Sequence, residues 1–301
     1  MIHLLSFADT RMHRSLKRLS SQAKSMGIFD HINFFNENNL PEDFKKTYKD
    51  KLILGSRGYG YWSWKPEIIF KSLENMKEGD LLLYVDAGCH LNKSGIVRLR
   101  EYFQILENSN TGIVAFQSNS PNSSNSKIIY DGRKLFDQPN YEWIKGDLFD
   151  HFAVRFDKNF THVQAIGAGI ILIKKCCESL KIINEWRSII ASNFRLIDDT
   201  PSISNNLPGF IEHRHDQAIF SLLCLKYKVQ TLSSYEYWYP KNLISDRLLP
   251  DWGSLNAFPI HARRDKDFGI FLNFKIKIYN LPIRLFMFSK RLFRNLLNQI
   301  N

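Results

Sequence analysis

The sequence predicts an α/β protein in which a mostly parallel β-sheet is flanked by helices on both faces. The main observation is that short apolar segments typical of buried strands alternate with longer segments of helical periodicity. The chain of 301 residues is 44% hydrophobic and 14% aromatic, so it can bury a full core. No internal repeat interrupts the pattern, and we therefore expect a single domain with a C-terminal tail.

The first predicted elements are a strand, a helix and a second strand. Residues 2–7, IHLLSF, form a short apolar run, and residues 11–27 have helical spacing that stops at Gly27. The apolar run at 31–36 predicts the next strand, and Pro41 marks the polar stretch after it. The alternation of strand and helix begins here.

Residues 65–106 continue this alternation. A helix is predicted at 65–76, with Pro66 near its first turn, and the run LLLYVD at 81–86 predicts a buried strand. A helix at 94–106 follows, and a polar loop is predicted at 118–126. The remaining predicted elements are strands 111–117, 165–175 and 229–233, a helix around 177–193 and a helix at 216–227.

Cysteine spacing and the lack of targeting segments indicate a cytoplasmic protein. The cysteines have no metal-ligand spacing and are expected to be reduced thiols. They are Cys89, Cys176, Cys177 and Cys224. The N-terminal apolar run is too short for a signal peptide, and no run approaches the roughly 18 apolar residues of a membrane span.

The formal charge of +11 is concentrated near the C-terminus, where residues 268–301 contain six Lys or Arg residues and no acid. Residues 283–300 have the pattern of a basic amphipathic helix, which binds anionic membrane surfaces. We expect this tail to lie on the inner face of the cytoplasmic membrane; the alternative is a helix packed on the protein's own core. A nucleic-acid partner is not expected, because the basic residues alternate with Phe, Leu and Ile and no nucleic-acid-binding module is recognisable.

Asp86 follows the buried strand LLLYV, at the carboxyl end where α/β sheets bind ligands. A carboxylate at that place costs free energy unless its charge is used. The residues after it are Ala87 and Gly88 rather than a second acid. The alternative is that Asp86 caps the following helix.

The segment GDLLLYVDAG resembles the strand and metal-binding turn of GT-A glycosyltransferases. In that family an Asp-x-Asp motif contacts the ribose and binds Mn²⁺ or Mg²⁺, which bridges the diphosphate of a sugar nucleotide. The resemblance implies a GT-A-like, Rossmann-like catalytic domain over residues 1–267, a nucleotide-sugar donor and a divalent cation held in part by Asp86. Gly88 replaces the second acid, and is expected to leave room for ribose or diphosphate.

The segment RGYGYWSWKP, before the Asp86 strand, resembles bacterial glycosyltransferases of O-antigen, lipooligosaccharide and capsule synthesis. Arg57 and Lys65 are candidates for contacts with phosphates, and Tyr61 and Trp64 for stacking on base or sugar rings. The alternative is an aromatic corner of the core.

Three later segments match the same family in order. Asp216 and Gln217 open a predicted helix and are candidates for catalysis. In an inverting enzyme Asp216 would be the base, and in a retaining enzyme it would orient the donor sugar. Helix capping is the alternative. The small residues of the 165–175 strand are candidates for close backbone approach to the donor; they are Gly167, Ala168 and Gly169.

His261 is the candidate that would complete a metal site, with Arg263 nearby for the diphosphate. The alternative for His261 is a surface histidine in a basic loop. Asp9 and Arg11, after the first strand, are also assigned to the nucleotide-sugar site.

The resemblance implies a glycosyltransferase that moves a hexose such as galactose from a UDP-linked donor. The expected acceptor is a lipid-linked or lipopolysaccharide glycan of a growing bacterial surface polymer. The alternative function is a non-catalytic carbohydrate-binding or assembly protein of the same fold at the membrane, for which Gly88 is the best evidence.

Overall fold

The computed structural model describes residues 1–118, 126–128, 130, 137–241 and 250–265. The predicted tail at 268–301 and most of the polar loop at 118–126 lie outside the described residues. The strands of the described chain are β1 Ile2–Phe7, β2 His31–Phe35, β3 Leu81–Val85, β4 His90–Leu91, β5 Ile113–Gln117, β6 Ile166–Lys174, β7 Gln230–Ser233 and β8 Ile260–His261.

Six strands form one sheet in the order β2-β1-β3-β6-β5-β7. Neighbours pair in parallel except around β6, which is antiparallel to both β3 and β5. The predicted mostly parallel α/β sheet is therefore confirmed, with β6 as the exception within the described sheet. Strands β4 and β8 form a separate antiparallel pair.

The helices are α1 His13–Met26, α2 Glu42–Thr47, α4 Trp64–Glu74, α5 Ile96–Glu107, α6 Asn140–Trp143, α7 Gly146–His151, α8 Lys158–Thr161, α9 Cys177–Ser192 and α10 His215–Lys226, with a helix-like turn, α3, at Gly58–Tyr61. The predicted strands and helices that fall within the described residues are present, with ends that differ by one or two residues. The short helices and the β4–β8 pair were not predicted, because segments this short show no clear periodicity.

Helices cover both faces of the sheet. Leu82 and Tyr84 of β3 belong to a core cluster with α4, α9 and α10, whereas Leu81, Leu83 and Val85 belong to a cluster with α1 and α5. Successive strand side chains point to opposite faces, so a strand buried on both sides is apolar throughout. This explains the uninterrupted apolar run before Asp86. No helix in the described part of the chain is long and apolar enough to cross a membrane.

Candidate active site

The antiparallel direction of β6 brings two predicted segments together. The amino end of β6 lies beside the carboxyl end of β3, with Val85 opposite Ile170. The Asp86 backbone N–H donates a hydrogen bond to the Gly169 carbonyl oxygen over 2.8 Å. Asp86 and the small residues 167–169 therefore lie together at the end of the sheet where β3 terminates, which we call the carboxyl edge.

Lys65, in the first turn of α4, places a buried ammonium at this edge. Its Nζ lies 2.6 Å from Asp216 Oδ2 and 3.3 Å from Asp86 Oδ1. It also donates a hydrogen bond to the Ala168 carbonyl oxygen over 3.0 Å. The three donors of the ammonium thus have three oxygen neighbours. We call Lys65, Asp86 and Asp216 the Lys65 cluster.

Burial and charge act in opposite directions within the Lys65 cluster. Burial raises the pKa of Asp216 to about 6, although the charge of Lys65 opposes the rise. Burial alone would lower the pKa of Lys65, but the charges of Asp216 and Asp86 outweigh it and raise that pKa above its ordinary value. Asp216 is 4% exposed and Lys65 2%. The cluster therefore depends on mutual compensation of its charges.

Asp86 is the solvent-facing member of the cluster, with a side chain 40% exposed. Its Oδ1 also accepts a hydrogen bond of 2.7 Å from the Tyr84 hydroxyl. A Cβ added at Gly169 would lie 3.0 Å from Asp86 Oδ2, so the absence of a side chain there leaves space for this oxygen. Oδ2 is thus the carboxylate oxygen placed to meet a ligand, and Asp86 does not cap the following helix, whose N-cap is Gly95.

Tyr84 was not singled out from the sequence. It lies two residues before Asp86, and side chains two residues apart in a strand share a face. This alternation is the signal that could have identified it. Gln217 follows Asp216 in the first turn of α10 and is half-buried, and Asp216 is not the N-cap of that helix, a position held by Arg214.

The segment before Lys65 has an unusual backbone. Residues 58–62 are consecutive and all have left-handed φ values, from 51° to 85°. Two are glycines, but Tyr59, Tyr61 and Trp62 each cost about 1–2 kcal/mol in this conformation. A Cβ at Gly58 would lie 2.3 Å from the Trp62 ring, so the turn also requires glycine for space. Such strain is found at functional sites, where surrounding contacts hold it in place.

Part of the restraint on this turn comes from core packing. Trp64 is 3% exposed, its ring stacks on Phe7 at 3.9 Å, and its Nε1–H donates to the Gly58 carbonyl oxygen. Trp64 therefore lies in the core, as the alternative interpretation of this segment holds, and does not present its ring to a ligand. Tyr61 and Trp62 are half-buried and pack against His215, with ring centroids 5.1 and 5.6 Å away.

Arg57 has carboxylate partners of its own. Its Nη1 donates a hydrogen bond to Asp199 Oδ1 over 3.3 Å, and its Nη2 lies 3.6 Å from Glu212 Oε2. The Arg57 side chain is 41% exposed. Arg57 is accessible, but two acids already balance its charge.

His215 connects the strained turn to Asp216. Its own φ is +52°, and its Nδ1–H donates to the Ile197 carbonyl oxygen over 2.7 Å, the tautomer this contact requires. Burial lowers the pKa of His215 to about 4, and the charge of Arg57 adds to this effect. His215 is therefore a neutral residue that fixes the start of α10, the helix that carries Asp216.

Asp9 and Arg11 pair with each other. Arg11 Nη2 lies 2.5 Å from Asp9 Oδ2, and Asp9 also caps the turn Thr10–Met12 that follows β1. Asp9 is 5% exposed and the Arg11 side chain 30%. Of this pair, only Arg11 is open to a ligand.

His261 is held by its surroundings. It is 5% exposed, its ring stacks on Trp252 at 5.4 Å, and its Nε2 lies 2.9 Å from the Leu255 carbonyl oxygen. It is thus neither a surface histidine nor joined to Asp86 by any observed contact. No group of three or more His, Cys, Asp or Glu side chains in the described ranges could hold a metal ion. Asp86 and His261 are therefore not brought together as ligands of one cation within those ranges.

No protein-family model matches the sequence, and no curated protein sequence is significantly similar to it. Mouse xyloside xylosyltransferase 1, in its apo form, has 12% identity and a TM-score of 0.42, covering 79% of this chain and 87% of that chain. A glycosyltransferase involved in glycosylation of the major capsid of PBCV-1 has 12% identity and a TM-score of 0.43, covering 86% and 92%.

The galactosyltransferase LgtC, in complex with donor and acceptor sugar analogues, has 11% identity and a TM-score of 0.41, covering 86% of each chain. All three similar structures are thus named as glycosyltransferases. At these identities and TM-scores the likeness is too weak to assign an activity to this protein.

Proposed function

We propose that this protein is a glycosyltransferase that binds a nucleotide-sugar donor at the carboxyl edge of its sheet. The observation that carries the proposal is the Lys65 cluster. A buried ammonium holds Asp86 at the end of β3, while Asp86 Oδ2 faces the open edge beside Gly169. Buried charges are costly, and a cluster that keeps one carboxylate accessible is typical of a ligand-binding site.

Each residue of the site has a distinct part in this proposal. Asp86 Oδ2 accepts a hydrogen bond from a hydroxyl of the donor, as carboxylates commonly do with sugars. The small residues 167–169 allow the donor to approach the backbone. Asp216 is buried behind Lys65, so it acts as a positioning residue: it orients Lys65, which in turn holds Asp86.

The sequence resemblance supports a more specific form of the proposal. The donor is a hexose linked to UDP, and the acceptor is a growing bacterial surface glycan, lipid-linked or part of lipopolysaccharide. Residues 268–301 attach the cytoplasmic protein to the inner face of the membrane, where such an acceptor would be found.

A donor panel tests the proposal. The full chain is incubated with sugar nucleotides and simple glycoside acceptors, in EDTA and separately in Mn²⁺, and release of nucleoside diphosphate is measured. We expect release from at least one donor, and a fall on the order of 10²–10³ in Asp86→Ala. Asp30→Ala is the matched control, because Asp30 is exposed and accepts from the Ile2 N–H at the opposite edge of the sheet.

Three outcomes separate the possibilities. Turnover near wild type in a folded Asp86→Ala variant would remove Asp86 from the site. Absence of release and of binding with every donor would overturn the function. Binding of donors or glycans without release would favour the non-catalytic carbohydrate-binding protein.

A further inference from the structure

The backbone of Arg264 and Asp265 lies directly over Gly88. A Cβ added at Gly88 would be 3.3 Å from the Arg264 Cα, and the Asp265 N–H donates to the Gly88 carbonyl oxygen over 3.0 Å. Gly88 was expected to leave room for ribose or diphosphate, and the structure limits that room only on the side where a side chain would project. The space into which a second carboxylate would project is filled by this backbone.

The environment of Asp86 also disfavours a divalent cation in addition to the Lys65 ammonium. Its Oδ1 is already engaged by the Tyr84 hydroxyl and lies 3.3 Å from the Lys65 ammonium. Mg²⁺ and Mn²⁺ prefer several oxygen ligands, and a fixed positive charge beside the carboxylate opposes their binding. The chemistry of these residues favours another source of positive charge for a diphosphate.

Arg264 supplies that charge. Its side chain is exposed, its backbone is left-handed with a φ of +53°, and it adjoins Gly88, two residues after Asp86. Burial raises the pKa of Tyr237 to about 12 and the Arg264 guanidinium opposes this rise, so its charge acts on the same edge of the sheet. A Cβ at Gly167 would lie 3.1 Å from the Tyr237 hydroxyl, which places Tyr237 at that edge.

The neighbouring arginines are engaged elsewhere. Arg263 lies over the Trp252 ring, with 4.9 Å from its guanidinium carbon to the ring centroid. Arg18 donates to the Ala87 carbonyl oxygen over 2.9 Å and to Asp265 Oδ2 over 3.2 Å, and so holds the Asp86 turn against the 264–265 backbone. Arg18 and Arg263 thus each have a hydrogen-bond or ring partner. The Arg264 guanidinium has neither kind of partner among the described residues.

We propose that Arg264, in place of a divalent cation, binds the diphosphate of the nucleotide-sugar donor, while Asp86 accepts a hydrogen bond from a donor hydroxyl. A guanidinium matches phosphate oxygens through two parallel hydrogen bonds and needs no metal to do so. This inference rests on the proposed function and adds to it the group that receives the diphosphate.

Calorimetry of nucleoside diphosphates tests this inference without turnover. ADP, CDP, GDP and UDP are titrated into the full chain in EDTA, and again in Mn²⁺. We expect one of them to bind in EDTA with an affinity that Mn²⁺ leaves within about twofold. Arg264→Ala should weaken that affinity about 10- to 100-fold, and Arg264→Lys should weaken it less.

Arg100→Ala is the matched control, since it removes an exposed arginine of the same charge on α5 that has no part in the proposed site. It should leave the affinity within about twofold. The parent nucleoside should bind wild type and Arg264→Ala equally, which separates diphosphate binding from a general defect. Circular dichroism establishes that each variant is folded.

Two results would overturn the inference while leaving the proposed function intact. One is diphosphate binding that requires Mn²⁺, which would indicate a metal site completed by a carboxylate outside the described residues, such as Asp267. The other is an equal loss of affinity in Arg100→Ala and Arg264→Ala. Absence of binding by every diphosphate in both conditions would overturn the inference and the proposed function together.

Discussion

Replacing Lys65 by methionine removes the buried ammonium between Asp86 and Asp216 and keeps an unbranched side chain. The 2.6 Å distance from Nζ to Asp216 Oδ2 corresponds to a gross attraction of roughly 6 kcal/mol at an effective dielectric constant of about 20. Burial of the charges offsets part of this, and removing one partner of a buried pair costs about 3–5 kcal/mol. We expect Lys65→Met to lower the free energy of unfolding by about that amount at pH 7.

The same helix contains a matched control. Lys71 Nζ lies 2.9 Å from Glu74 Oε2, and both side chains are about half exposed, at 51% and 44%. An exposed pair of this kind contributes about 0–1 kcal/mol. Urea unfolding of Lys65→Met, Lys71→Met and wild type, followed by circular dichroism at pH 5 and pH 7, compares the two pairs directly.

The loss in Lys65→Met should be larger at pH 7 than at pH 5. Burial raises the pKa of Asp216 from its ordinary value of 3.8 to about 6 against the opposing charge of Lys65, so without Lys65 this pKa rises further. A raised carboxyl pKa means that the folded state binds more protons than the unfolded state, so stability falls as pH rises from the ordinary value through the folded one. At pH 5 Asp216 is mostly protonated in both proteins, and their difference shrinks.

Two results would refute this reasoning. One is an equal loss of stability in Lys65→Met and Lys71→Met, which would mean that burial does not distinguish the two pairs. The other is a loss in Lys65→Met that does not change between pH 5 and pH 7, which would mean that Asp216 is not the group left uncompensated.

Three further predictions concern the site and the tail. Turnover of wild type should fall as pH is lowered through about 6, because protonation of Asp216 weakens its ion pair with Lys65. Asp216→Asn should be less active and should lack this fall. If the variant still shows the fall, the pH dependence belongs to another group. Gly169→Ala places a methyl group 3.0 Å from Asp86 Oδ2. It should lower turnover on the order of tenfold with little change in the thermal unfolding temperature. Unchanged turnover would show that the position of this oxygen does not matter for the reaction. The full chain should sediment with anionic vesicles at low salt and not with neutral ones; equal behaviour would contradict the role assigned to residues 268–301.

Local pattern was sufficient to predict the strands and helices of the sheet. The apolar run of β3, the helical spacing of α1 and its end at Gly27 are properties of short segments, and the structure has them within one or two residues. The direction of β6 was beyond this reasoning, because an apolar strand has the same pattern whether its neighbours are parallel or antiparallel. That direction nevertheless decides that Gly169 meets Asp86.

The sequence by itself determined that Lys65, Asp86 and Asp216 were residues to examine, since each is a charged residue next to an apolar or small-residue segment. Only the tertiary structure decided that they form one cluster, that Trp64 packs in the core, and that the backbone of Arg264 fills the space at Gly88. The function of a charged side chain depends on the charges within a few ångströms of it and on its contact with water. For Asp86 these neighbours come from α4, β6, α10 and the chain after β8. The residue pattern within a single segment does not predict which of these elements will lie next to each other.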